Sequence, residues 1–403
     1  MKTILKDYVA EVIRRPIPDN RGERYYTKRP ENLDKKMVNN LYHIIFVSYY
    51  PDPQFLKKAM VMKATGKVFV TLIAGCIRED AKIENYFDQY YEYESFRELY
   101  EIVGKSEPHS WHLAPPDYHG AIVINACADK SNIVLDVNDA VLFMAKDKKE
   151  SSVQVEQAVM RQVDHIVHKM PDDAWNELCD AYDLQCGGSQ VMSYPHSAFL
   201  HHRKTKEIKS TPHVVYAGGI IPYDIAVARG HENHIFDDLI ELTGPDTFDL
   251  SIYVNQNARD MPWQQHDHYY TFEKKYPCFH FKKGLPYSEV TEGLLQYDAG
   301  IFFDNISRSS YNMEHFKYNV ASKLFTYLEA GLPVIMYEES EFMADLVRDY
   351  NLGTTYKAIE TGTIIKAIEE VMANDYSESI ASFCREFSME KYSQLLIEIH
   401  GVK

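Results

Sequence analysis

KYNVASKLFTYLEAGLPVI, Lys317 to Ile335, reads as an amphipathic helix followed at once by a buried strand. Leu324, Phe325 and Leu328 fall on one face, and Gly331 and Pro333 close the helix. Ser322, Lys323 and Thr326 gather on the other face near its start. Backbone N–H groups at a helix N-terminus favour negative charge, and a lysine in the first turn adds a compact cation, so this spacing predicts an anion site. A plain amphipathic helix with a solvated lysine has the same pattern.

Around this stretch, apolar β-rich runs alternate with helical ones. YHIIFVS (42–48), QFLKKAMVMKATG (54–66) and KVFVTLI (67–73) form a strand–helix–strand unit. SWHLAPP (110–116), DYHGAIVINACAD (117–129) and NIVLDVND (132–139) continue it as strand, helix and strand, although AIVINA (121–126) also reads as a strand. DHIVHKM (164–170) and QVMSYP (190–195) close it around a helix over 171–182. The rhythm restarts with HVVYAGG (213–219), DLSIYVN (249–255), CFHF (278–281), AGIFFD (299–304) and LPVIMYE (332–338). Helical stretches such as EVTEGLLQYD (289–298) and EFMADLVRDY (341–350) lie between these strands. Steady alternation predicts an α/β class, with parallel sheets covered on both faces. Two tandem units make two Rossmann-like parallel-sheet domains facing a cleft.

The expected layout is a polar arm over 1–37, a first domain over 38–208, a second over 209–388 and a terminal helix over 389–403. The charged segment HHRKTKEIKS (201–210) joins the two domains. The arm reads as a solvated tail, with dimerisation or contact with an acceptor membrane left open.

The 403 residues, 45% of them hydrophobic, are enough for two full cores. A formal charge of -16 opposes a polyanionic partner, which argues against nucleic acid. The first residues interleave charge with apolar groups and lack a signal-peptide core, and no run approaches the roughly 20 apolar residues of a membrane span. Six scattered cysteines without a C-x-x-C pair fit reduced thiols and a cytoplasmic location.

KLFTYLEAGLPVI, Lys323 to Ile335, resembles the K-L-x-E-Y-L-A-A-G-x-P-V-I segment of glycosyltransferases with the GT-B fold, in particular the family-4-like branch. The order of elements resembles that family over most of the chain, and MEKYSQLLIEIH (389–400) is similar to its final helix, which crosses back to the first domain. The resemblance implies transfer of a sugar from a UDP- or GDP-linked donor to a hydroxyl of a glycan, lipid-linked glycan or protein. It implies no permanently bound cofactor and no metal at the donor site. Peripheral association with the inner membrane face and a homo-oligomer stay open. So do a nucleotide-sugar epimerase on the same fold and a non-catalytic glycan- or partner-binding protein.

By the same resemblance, Gly218 and Gly219 stand where a loop lies beside the diphosphate, and glycine lets backbone approach a phosphate closely. Lys323 stands where a cation meets the diphosphate leaving group. HFKKGLPYSEV (280–290) resembles the loop that receives the nucleobase, with Leu285 and Tyr287 against the ring; a plain strand-to-helix connection reads equally well. The family's glutamate three residues after the lysine is Thr326 here, and Glu329 shares that helix face and stands as its partial replacement. DVND, Asp136 to Asp139, matches the string that carries a cleft-facing histidine, with Asn138 at the histidine position. Asp139 is then the better proton acceptor, since an amide cannot serve; a helix-capping turn is the other reading of this pair. His112 and His119 are alternative bases, or structural histidines. His266 and His268 in WQQHDHYY (263–270) match no zinc spacing and read as part of a polar helix.

Overall fold

The computed structural model describes residues 2–15, 33–77, 82–127, 132–145, 150–201, 211–254, 266–358, 360 and 362–403. The chain forms two compact units, Met1–Ser193 with Met389–Lys403, and Tyr194–Ser388. The segment expected to join the domains lies, beyond His201, outside the described residues.

The first unit is built on an eight-stranded sheet: β1 (Met37–Val38), β2 (Leu41–Ser48), β3 (Val68–Ala74), β4 (Gln89–Glu92), β5 (Ser110–Leu113), β6 (Asn132–Val137), β7 (His165–His168) and β8 (Gly187–Gln190). Its order is β4-β3-β2-β5-β6-β7-β8, all parallel, with β1 antiparallel on β2. Asn39 and Asn40 make that β1–β2 turn at φ 53° and 64°, the left-handed pair that a two-residue hairpin requires. Ile44, Ile45, Phe46 and Val47 are completely buried, as expected of a strand covered on both faces.

Helix Pro53–Ala64 starts where Asp52 accepts the Phe55 N–H at 2.9 Å and Pro53 fills the first turn. It packs beneath the terminal helix Ser393–Ile399, which buries Leu396 and Ile397. The last strand of this unit covers Gly187–Gln190 rather than QVMSYP, whose Val191 and Met192 continue as buried, non-ladder chain. The amino-terminal arm is in part ordered: Lys2–Val12 is a helix that buries Leu5, Val9 and Val12 on helices Tyr118–Ala126 and Ser151–Met160. Spacing of four and three residues puts those three side chains on one stripe, which the flanking charges mask in a composition-based reading. Residues 16–32 of the arm lie outside the described residues.

The second unit has six parallel strands: β9 (His213–Gly218), β10 (Asp249–Val254), β11 (Phe279–Lys282), β12 (Ala299–Ile301), β13 (Val334–Tyr337) and β14 (Gly353–Tyr356), in the order β11-β10-β9-β12-β13-β14. Edge strand β14 depends on one glycine. At Gly353, φ is +156° and an added Cβ would lie 1.9 Å from the Val334 carbonyl oxygen.

In each sheet the chain leaves a central strand in one direction and returns on its other side, between β2 and β5 in the first unit and between β9 and β12 in the second. Open parallel sheets bind ligands outside the carboxyl ends of the strands at such reversals. No helix among the described residues is long and apolar enough to cross a membrane.

Candidate active site

Helix Lys323–Glu329 carries the lysine to the carboxyl ends of β9 and β12. Gly331, at φ +67°, ends it, and Leu324, Phe325 and Leu328 are buried as the periodicity requires. Tyr327 shapes the reversal point. Its hydroxyl accepts the Ala217 N–H at 2.9 Å and donates to the Ile301 carbonyl at 3.2 Å, so it spans the ends of β9 and β12. Gly300 makes this fit: a Cβ there would lie 2.3 Å from the Tyr327 ring.

Lys323 donates from Nζ to the Tyr216 hydroxyl at 2.9 Å, and that hydroxyl donates to the Gly219 carbonyl at 3.2 Å. The same ammonium lies 4.2 Å from the centre of the Tyr216 ring and 4.9 Å from that of Phe302. Burial pushes the ammonium down to about 8, against the pull of the Asp304 carboxylate. Lys323 and Gly219, widely separated in sequence, are thus joined through one tyrosine at the sheet's reversal.

The two glycines do different things. A Cβ at Gly218 would sit 3.1 Å from the Tyr216 hydroxyl, so glycine makes room for that ring, whereas a Cβ at Gly219 would meet nothing within 4 Å. Gly219 therefore presents bare backbone to open space. Ser322 and Thr326 lie in the same turn, and the Thr326 hydroxyl donates to the Ser322 carbonyl at 3.4 Å.

The other donor-side candidates point elsewhere. Glu329 is completely buried, and its carboxylate accepts the His196 N–H at 2.8 Å, which commits it to the chain entering the unit. Tyr287 starts helix Tyr287–Leu294 and turns inward onto Phe199, with ring centres 4.8 Å apart. Leu285 packs over Gly293, where a Cβ would lie 2.3 Å from its Cδ1. Neither side chain offers a flat open face for a base. His268 pairs with Asp237 at 2.8 Å and stacks on Tyr223, and His266 is buried beside Phe281. Trp263 of that string lies outside the described residues.

In the first unit, Asp139 follows β6 and is exposed, with the Lys169 ammonium 3.1 Å from its Oδ1. Asn138 beside it donates to Asp52 at 2.6 Å and so ties the end of β6 to the start of helix Pro53–Ala64. Asp136 is an interior charge rather than a turn cap: it receives Lys58 Nζ at 2.5 Å and Gln54 Nε2 at 3.1 Å, with His112 Nε2 at 3.3 Å. Burial alone would raise it, but the Lys58 ammonium and His112 bring it down to about 2.

His112 and His119 are completely buried and engaged at both ring nitrogens, a structural arrangement that leaves no side for a substrate. His112 joins Asp136 to His400 at 3.0 Å; His119 lies between Tyr93 Oη at 2.6 Å and Asp117 at 3.1 Å.

Sequence reasoning missed Tyr216, Asp304, Lys58 and Lys169. The available signals were a tyrosine two residues before a strand-ending glycine, an acid closing the apolar run AGIFF, a lysine set within an otherwise apolar helix, and a lysine directly after the buried strand His165–His168.

Residues 246–398 match the family model described as glucosyltransferase 3-like, C-terminal domain. No curated protein matches the chain. Among solved structures, a glycosyltransferase from Rickettsia africae has a TM-score of 0.58 at 9% identity, covering 90% of this chain and 98% of its own. An E. coli structure described as trehalose-6-phosphate bound with UDP-2-fluoro glucose has a TM-score of 0.57 at 7% identity, covering 90% and 99%. The lipopolysaccharide outer core galactosyltransferase WaaB, in its apo form, has a TM-score of 0.52 at 11% identity, covering 88% and 99%. The chain therefore has the two-domain GT-B fold of these structures, and residues 246–398 are similar to the glucosyltransferase 3-like C-terminal domain.

Proposed function

We propose that the protein transfers a sugar from a UDP- or GDP-linked donor to a hydroxyl of a glycan, lipid-linked glycan or protein, and that the donor diphosphate binds at Lys323 and Gly219. The observation that carries this reading is the Lys323–Tyr216–Gly219 chain at the carboxyl ends of β9 and β12. A diphosphate gains negative charge as the bond to the sugar breaks, so a fixed ammonium stabilises the transition state more than the ground state. Open backbone at Gly219 lets a phosphate oxygen approach, and the Ser322 and Thr326 hydroxyls lie in the same turn. Gly218 serves this site indirectly, by admitting the Tyr216 ring.

On the acceptor side Asp139 is the proposed proton acceptor or orienting group, positioned by Lys169. His112 and His119 have their ring nitrogens engaged within the core and serve as its supports.

The test is incubation with UDP-glucose, UDP-galactose, UDP-N-acetylglucosamine and GDP-mannose, following release of nucleoside diphosphate. Release from one donor, faster with an added glycan acceptor and lost in Lys323→Ala, is expected. An isomerised nucleotide sugar with no diphosphate released would assign an epimerase instead, and binding without turnover would assign a non-catalytic protein.

A further inference from the structure

Asp304 follows β12 by three residues and stands at the same strand ends as Lys323. It is partly exposed, and two of its partners are donors that set its plane. Asn233 Nδ2 reaches one carboxylate oxygen at 3.1 Å, and the Tyr337 hydroxyl reaches the other at 3.0 Å. Asn233 is itself buried, and its carbonyl accepts the Asn305 N–H at 2.9 Å, which locks the turn after β12 to the turn Glu232–His234. Tyr337 ends β13 and is only 2% exposed. Asp304 is also close enough to Lys323 to strengthen that group's hold on its proton. The reversal point therefore presents opposite charges near one another: an ammonium that rests on aromatic rings, and a carboxylate fixed by two different elements.

Such a carboxylate repels phosphate and attracts hydroxyl donors. About four lone-pair positions are available to an ionised carboxylate, and hydrogen bonds to a charged acceptor are the strong ones. Glu329, the carboxylate expected from its helix face, is completely buried and committed to His196. We infer that Asp304 recognises the sugar of the donor, accepting hydrogen bonds from its hydroxyls while Lys323 takes the diphosphate. This assignment rests on the reading of the second unit as a nucleotide-sugar site. Asn233 and Tyr337 are then positioning residues, which aim the carboxylate without touching the sugar. The pairing divides donor recognition in two: the diphosphate is read by a cation and the sugar by an anion, so the second can be altered without the first.

The experiment compares calorimetric titrations of UDP, GDP, UDP-glucose, UDP-galactose, UDP-N-acetylglucosamine and GDP-mannose into wild type, Asp304→Asn and Tyr337→Phe. Circular dichroism is used to verify that each variant is folded. In Asp304→Asn, affinity for the preferred nucleotide sugar should fall about ten- to a hundred-fold, the scale of one to two charge-assisted contacts, while affinity for the free nucleoside diphosphate stays within about two-fold. Tyr337→Phe should give a smaller loss in the same direction. Equal affinity for the nucleotide sugar in wild type and Asp304→Asn overturns the inference while leaving the diphosphate site standing. A loss shared equally by the free diphosphate also overturns it, because the carboxylate would then act on Lys323 or on the fold. If wild type binds none of the six compounds, the nucleotide-sugar reading fails first and this assignment falls with it.

Discussion

The Lys323 ammonium donates to the Tyr216 hydroxyl at 2.9 Å and lies 4.2 Å from the centre of the same ring. One side chain thus supplies both an acceptor and a π face to the cation. Aromatic support of this kind lets a lysine stay charged in a place that strips it of water. The cost of that desolvation appears as an ammonium weakened to about 8.

Tyr216→Phe keeps the ring and removes the hydroxyl. Loss of one hydrogen bond to the ammonium should weaken nucleoside diphosphate binding by about two- to ten-fold. It should also move the pH at which binding falls off to a lower value, since the charged form has lost a partner. A pH titration of UDP and GDP affinity reads both effects. A variant with weaker binding but an unchanged pH profile would make Tyr216 a packing residue only.

The side chains of the Lys58–Asp136 pair in the first unit are 0% and 1% exposed, and the pair spans 2.5 Å. Removing one member leaves the other charge stranded in the interior, so Lys58→Ala should cost about 3–5 kcal/mol in urea unfolding of this unit. Replacing the pair together, Lys58→Met with Asp136→Leu, should cost clearly less. Because the folded carboxyl lies near 2, below its unfolded value near 3.8, its stabilisation is present above about pH 4 and is lost as pH falls through 2.

His400, at the end of the terminal helix, is completely buried, with Nδ1 2.6 Å from Ser110 Oγ and Nε2 3.0 Å from His112 Nδ1. Burial, reinforced by His112, His109 and His165, holds its protonation well below the ordinary histidine range. Below about pH 6.5 the unfolded chain takes up a proton that the folded one refuses. Stability is therefore full above 6.5 and falls on acidification, by roughly 1.4 kcal/mol per pH unit for one such group. Urea midpoints at pH 7 and pH 5 should differ less in His400→Asn than in wild type. An unchanged difference would place the acid sensitivity elsewhere.

Much of the fold could be read in the sequence because parallel strands buried on both faces appear as short apolar runs, as YHIIFVS, NIVLDVND and HVVYAGG do. Strand Gly353–Tyr356 could not, since GTTY on a sheet edge is polar and glycine-led, and neither could the helix at Lys2–Val12, whose stripe of three apolar residues is masked by charge. At the site, Lys323 and Gly219 were visible through local spacing and resemblance. Tyr216 and Asp304 were not, because their importance arises from which strands lie side by side, and that order is absent from a linear pattern. Glu329 shows the converse: it shares the right helix face, yet that part of the face is turned into the core.

The central claim is that a nucleoside diphosphate binds the second unit at Lys323, and the most direct measurement is calorimetric titration of UDP and GDP into wild type and Lys323→Ala at pH 7 and pH 9. With an ammonium near 8 in the free protein, wild-type affinity should fall by up to about ten-fold between the two pH values, as the protonated fraction drops. The alanine variant should bind about ten- to a hundred-fold more weakly at pH 7 and show little of that pH dependence. Equal affinity in the two proteins at pH 7, with the same pH profile, would contradict the site.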